Sequence, residues 1–201
     1  VTPGPQRLPL PPEEAWSDEQ HQAAQRIVSG PRGELYGPFV PLMHSPEFMT
    51  RLQLVGEHLR FGKALDDDLF ELTILIVARH WDQGFEWGFH RPLANRAGVP
   101  EAVVEDVAQC RRPSGGRPGL AEVWDAVHTL LHRGSLTDEL YDRLSGLGPK
   151  AIVELVGTVG YYTTLALMMN VARTPPPDGA PALPPLGGRA AVRGGEPGSA
   201  R

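Results

Sequence analysis

The residue types that can move protons gather in one stretch, ELTILIVARHWDQGFEWGFHRPLANRAG, from Glu71 to Gly98. Glu86 and His90 are four residues apart, so on a helix of 3.6 residues per turn their side chains share a face and can touch. Glu71 opens the run LTILIVA, which reads as a buried helix or strand. A carboxylate in such surroundings can hold or relay a proton near neutral pH. An imidazole beside it is the natural proton donor or acceptor at that pH. Glu71, Glu86 and His90 therefore form a candidate general acid-base set. The competing bland reading is an exposed Glu–His pair worth a few tenths of a kcal/mol, with Glu71 a first-turn acid favoured by the helix dipole.

Further side chains are candidates for contacts with a substrate. Trp87, beside Glu86, and Tyr161 with Tyr162 offer an aromatic wall, although aromatics at helical spacing are more often core. His44 ends an apolar loop from which it can reach a pocket, and His80 lies one turn of chain before the corner that leads to Glu86. His80 with Glu86 and His90, or His128 with His132, carry metal-ligand types. Neither set has the HExxH signature or the ExxH spacing of di-iron bundles, and no cysteine reinforces them. No metal and no other cofactor is expected. Cys110 is the single cysteine, which excludes an internal disulfide and intramolecular dithiol chemistry and suits a reducing compartment.

The elements that must position these groups read as helices. Residues 1–16 form a proline-rich arm. Ser17 with Gln20 has capping-box spacing and starts a helix that Gly30 and Pro31 stop. From Pro31 to Ser45 glycine and proline mix with Tyr36, Phe39, Leu42 and Met43, the pattern of a packed loop over a pocket. Ser45, Pro46 and Glu47 open a helix ending at Gly62, and Asp66 to Asp68 open the central one, ending near Trp81. After a corner at Gly84 the helical period resumes with Phe85, Phe89, Leu93 and Ala97 as the inward stripe, and with a kink expected at Pro92. Helices follow over 100–108, 120–133, 138–147 and 149–173, with a flexible loop, RRPSGGRPG, from Arg111 to Gly119. The last helix is apolar nearly all round, but Glu154, Thr158 and Asn170 interrupt it, favouring a buried or subunit-facing helix over a membrane span. Residues 174–201 read as a disordered tail, leaving one helical domain over 17–173. No strand or repeat stands out.

The net charge of -5 and the scatter of Lys and Arg give no basic stripe, so a nucleic-acid partner is not expected. The opening VTPGPQRLPLPP has no charged start followed by an apolar run, so no secretory signal is expected and a cytoplasmic location is.

On the runs LFELTILIVARHW, FEWGFHRPLANRAGVPEAVVEDV and VELVGTVGYYTTLALMMNV, the sequence resembles the carboxymuconolactone decarboxylase family, over residues 20–173. The resemblance implies an all-α, AhpD-like helical bundle that assembles as dimers, trimers or hexamers. The peroxidase branch of that fold has a glutamate, a CxxC and a histidine three residues after the second cysteine. Glu71 matches the glutamate and His90 the histidine, while Gln83 and Glu86 stand at the two cysteine positions. What the resemblance then implies is a cofactor-independent decarboxylase or lyase acting on a small carboxylated lactone or carbonyl compound. For such chemistry the groups themselves suggest that His90 donates the proton, that Glu86 orients it and holds it protonated, and that Glu71 restores the proton or sets the charge balance. An alkylhydroperoxidase-like reductase is the alternative, disfavoured by the missing CxxC. A non-catalytic, ligand-binding helical oligomer is the third reading.

Overall fold

Local chemistry at the helix ends accounts for most of the boundaries in the computed structural model, which describes residues 4–186. Ser17 accepts a hydrogen bond from the Gln20 backbone while the Gln20 side chain accepts one from the Ser17 backbone, a closed capping box that starts α1, Asp18–Val28. Pro46 in the first turn starts α3, Pro46–Phe61, and Thr137 caps α8, Asp138–Leu144. Between α1 and α3 the apolar loop holds one turn of helix, α2, Phe39–Leu42, whose Phe39 and Leu42 are buried. The remaining helices are α4, Asp67–His80; α5, Gly84–Arg96; α6, Glu101–Ala108; α7, Leu120–Arg133; and α9, Gly148–Ala172. Short 3-10 turns cover Glu13–Ala15 and Ser145–Leu147. The fold is all-α, with no strand among the described residues.

Helix α4 is the hub. Every residue from Asp68 to Arg79 is buried, and α5, α6, α7 and α9 all pack on it. Its aspartates do more than favour the dipole. Arg117 donates to Asp68 at 2.6 Å and to Asp66 at 2.8 Å, so the loop read as flexible is fastened to the start of α4. Arg112 adds a two-pronged pair with Asp125 of α7 at 2.8 and 2.9 Å.

The corner between α4 and α5 decides how the two halves of the site face each other. Asp82 takes a left-handed conformation, φ 52°, which a short polar side chain tolerates better than most. Helix α9 pins this corner: Trp81 Nε1 donates to Thr163 Oγ1 at 3.2 Å and Asn170 donates to the Trp81 carbonyl at 2.8 Å. Helix α5 then runs on through Pro92. Its buried residues are Phe85, Glu86, Trp87, Gly88, His90 and Ala94, so of the expected stripe Phe85 is buried while Phe89, Leu93 and Ala97 are half-buried. The helical period is as expected, and its phase is partly turned because the inward face also holds the ionisable residues.

By length and composition the helical stretch Asp138–Ala172, which ends in α9, could cross a membrane, yet 56% of its most apolar 18-residue segment is buried inside the bundle, where α9 packs on α3, α4 and α7. The chain after it is docked without regular structure as far as Leu186. Pro176 and Pro177 lie against Gly84 and Gly88 of α5, and the Pro184 carbonyl accepts from Arg79 at 2.6 Å. Small residues on the outer side of α5 leave the room for this. The expectation of disorder for residues 187–201 falls outside the described residues. The N-terminal arm is likewise laid on the body, with Arg7 donating its backbone N–H to the Ala172 carbonyl at 2.7 Å.

Candidate active site

Helices α4 and α5 bring Glu71, Glu86 and His90 together inside the bundle. His90 is 2% exposed, Glu86 3% and Glu71 8%. The Nδ1–H of His90 donates to Glu71 Oε2 at 2.7 Å, and Nε2 lies 3.3 Å from Glu86 Oε2. Both ring nitrogens are thus engaged by carboxylates. Burial alone would strip the proton from His90, but the charge and hydrogen bond of Glu71, reinforced by Glu86, outweigh it and lift its pKa from 6.5 to about 9. The ring is an imidazolium at neutral pH.

Glu71, reaching across from α4, makes the shorter contact with the ring, and Glu86, one turn away on the same helix, the longer one. Glu86 and His90 border the cavity beside them, whose other walls include Tyr36, Phe85, Phe89, Tyr161 and Tyr162. The space left is about 20 Å³, enough for one water. Burial and the charge on Glu86 push the Tyr162 phenol well above its ordinary pKa, so it stays a proton-bearing group; its ring meets His90 edge-on at 5.3 Å. Burial pushes Tyr161 up to about 12 against the pull of Arg32.

Two positioning residues escaped the sequence reading. Gln83 is the N-cap of α5, its side-chain oxygen accepting from the Glu86 backbone at 3.0 Å, which fixes the turn that carries Glu86. Gly56 of α3 leaves space where a Cβ would stand 2.1 Å from the Tyr161 hydroxyl and 2.8 Å from Arg32 Nη2. A glycine inside a helix lowers helix propensity, and that signal was available. The outer wall is a stack: Tyr36 lies 5.3 Å from Phe89 and 6.4 Å from Phe85. Gly37, at φ 55°, lets the chain pass against Phe85, which a Cβ would meet at 2.4 Å.

Of the four residues proposed to contact a substrate, the structure brings Tyr161 to this cavity and not the other three. His44 is exposed, with Nε2 at 3.0 Å from the Pro9 carbonyl. Trp87 is fully buried in the core, its indole N–H without an acceptor among the described residues. His80 borders a different cavity, of about 260 Å³, with Arg79, Cys110, Trp124, His128 and His132. No residue is shared between the two cavities. Among the described residues no group of three or more His, Cys, Asp and Glu is arranged to hold a metal ion.

A solved structure of an uncharacterized peroxidase-related protein from Ralstonia eutropha, an alkylhydroperoxidase AhpD core, aligns with 86% of this chain and 93% of its own length, with a TM-score of 0.71 and 15% sequence identity. The fold is AhpD-like. No protein-family model and no curated protein matches the sequence. Within this AhpD-like bundle the two helices that meet at the 81–83 corner carry an acid on each side of one imidazole. The only thiol of the chain, Cys110, is exposed and borders the other cavity.

Proposed function

We propose that the chain is a cofactor-independent decarboxylase or related lyase that works by general acid-base catalysis on a small carboxylated lactone or carbonyl compound. The observation that carries this reading is the His90 ring, buried with one nitrogen against Glu71 and the other against Glu86 beside an aromatic cavity. In such a reaction the bond from carbon to the departing carboxylate breaks, carbon dioxide leaves, and the electron pair passes into the conjugated carbonyl as an enolate. A fixed cation beside that oxygen stabilises the charge as it develops. His90 then gives its Nε2 proton to carbon and becomes neutral, and water returns a proton by way of Glu86. Glu71 holds the ring in place throughout. For the proton to leave, Nε2 must exchange Glu86 for the substrate, which the longer contact on that side favours. A substrate larger than water must displace side chains of the outer wall to enter.

The Gln83–Glu86 pair in place of a dithiol supports this reading over an alkylhydroperoxidase-like reductase. The reading includes assembly of several copies. Leu54, Val55, Val153 and Val156 expose apolar surface on α3 and α9, a face that suits a second copy; light scattering on the purified chain measures the oligomer. The decisive assay is carbon dioxide release from 4-carboxymuconolactone and a panel of β-keto and vinylogous acids. The expected result is turnover that falls by roughly 10²–10⁴ in a folded His90→Gln variant, the range for loss of a general acid. No release from any compound overturns the decarboxylase reading, and peroxide consumption lost in Cys110→Ser would favour the reductase.

A further inference from the structure

The cavity of about 260 Å³ between α4, the end of α6, α7 and the chain at Leu186 takes no part in the chemistry at His90. Trp124, His128 and His132 recur every four residues, so they form one column along α7. The Trp124 and His128 rings lie 4.6 Å apart at 13°, and those of His128 and His132 lie 4.1 Å apart at 29°. With a ring stacked on each side, His128 can meet the cavity only through its edge, which carries its nitrogens and the positive rim of the ring. His80 of α4 closes the column edge-on, 4.9 Å from His132. Arg79 is the buried cation of the same wall, 4% exposed. Its Nη1 donates to the neutral carbonyls of Ala108 and Pro184, and its carboxylate partner, Asp82, stands out in solvent with 77% of its side chain exposed. The Nε–H of Arg79 is buried without an acceptor among the described residues, a costly arrangement. No aspartate or glutamate among the described residues lines this cavity, and Ile76, Val107, Leu131 and Leu186 make the rest of it apolar.

We propose that this cavity is a second ligand site, which binds a compact apolar monoanion: a ring-sized body bearing one carboxylate, with the acid group at the His128 edge and the body on the aliphatic wall. The size follows from the volume, since an apolar cavity of about 150 Å³ holds benzene and this one leaves room for an acid group besides. The charge follows from a wall of donors and protonatable rings with no acid to oppose a second negative group. Burial and the neighbouring His132 hold His128 below its ordinary pKa, and an anion against its edge reverses that balance. Binding therefore takes up a proton and tightens as pH falls. The other groups facing His128 do not forestall this. Arg79 and His80 of α4, Cys110 past the end of α6 and His132 bring no negative charge at neutral pH, and Leu186 brings none at all. Asp125, beside His128 on α7, already pairs with Arg112 and Arg143. The site does not depend on which reaction His90 performs.

The test is an NMR titration of the full chain with benzoate at pH 6 and pH 8, following the histidine ring signals, with benzyl alcohol as the neutral comparison of similar shape. Benzoate is expected to shift and saturate the His128 signals and to bind at least about tenfold more tightly than benzyl alcohol at pH 6. Its affinity should fall by about threefold or more between pH 6 and pH 8. His128→Phe keeps the stacked column and removes the nitrogens, and should weaken benzoate by about tenfold at pH 6. His132→Gln, at an exposed position, should weaken it more at pH 6 than at pH 8. Arg60→Gln, at the wall of the His90 cavity, should leave it unchanged. The proposal is overturned by a folded wild type that does not bind benzoate, by benzyl alcohol binding as tightly, or by equal benzoate affinity in wild type and both histidine variants. Affinity lost in Arg60→Gln and kept in His128→Phe would place benzoate in the other cavity and overturn it as well.

Discussion

Two histidine clusters in this molecule start from the same helical spacing and end with opposite protons. In α5, Glu86 and His90 are one turn apart and Glu71 reaches across from α4, so the buried ring is held as an imidazolium with a pKa of about 9. In α7, His128 and His132 are also one turn apart, with ring centroids at 4.1 Å, and His80 reaches across from α4 to 4.9 Å. There burial and the neighbouring His132 lower the pKa of His128, against a weaker pull from Asp125. The spacing decides only that side chains meet. What they become is decided by the group that the next helix presents: a carboxylate in one cluster, another imidazole in the other.

Removing the ring is the hardest blow to that contrast. His90→Ala leaves Glu71 and Glu86 buried with no cation between them, and a loss of about 3–5 kcal/mol is expected in urea unfolding at neutral pH, the scale for breaking a buried ion pair. If His90→Ala unfolds at the same urea concentration as wild type, the three groups are not coupled.

The pH dependence of stability separates the clusters next. The folded pKa of His90 is raised from 6.5 to about 9, so its contribution is fully present below pH 6.5 and is lost as pH rises through 9. Converted at 1.36 kcal/mol per pKa unit, that window is worth on the order of 3 kcal/mol. His128 runs the other way. Its folded pKa is lowered, so its contribution is present above pH 6.5 and is lost as pH falls below it. Urea midpoints of wild type and His90→Gln from pH 6 to 10 check the first arm: the alkaline decline should be present in wild type and reduced in the variant.

Gly56 and His128 give the smaller effects. Gly56→Ala gains up to about 1 kcal/mol of helix propensity but drives a Cβ into Tyr161 and Arg32, an overpacking cost of about 1–3 kcal/mol. Net destabilisation in thermal unfolding is expected, and net stabilisation would mean that the wall of the His90 cavity yields easily. His128→Gln should change stability at pH 8 by no more than about 0.5 kcal/mol, because the ring it replaces is neutral there.

How much of this was readable before the structure follows from the same contrast. Caps and breakers act within a few residues, so Ser17 with Gln20, Pro46 and Thr137 marked helix starts where the structure has them. The phase of α5 was only partly readable from apolar residues: Phe85 is buried as the stripe requires, but Glu86 and His90 turn inward with it while Phe89 is half-buried against Tyr36. Glu86 and His90 were legible as a pair because a single turn joins them; that Glu71 would make the shorter bond depends on the 81–83 corner and on α9 holding it. Arg32 gave no local signal at all. It meets the site through the chain after α1, and only the packed bundle brings it beside Tyr161.

The central claim is that His90 keeps a proton at neutral pH for delivery to a substrate. The most direct measurement is an NMR titration of the His90 ring in the folded chain, assigned with His90→Gln. Two ring N–H groups persisting through pH 8, with one of them lost near pH 9, is the expected result. A ring already neutral at pH 7 would contradict it and leave the site without its acid.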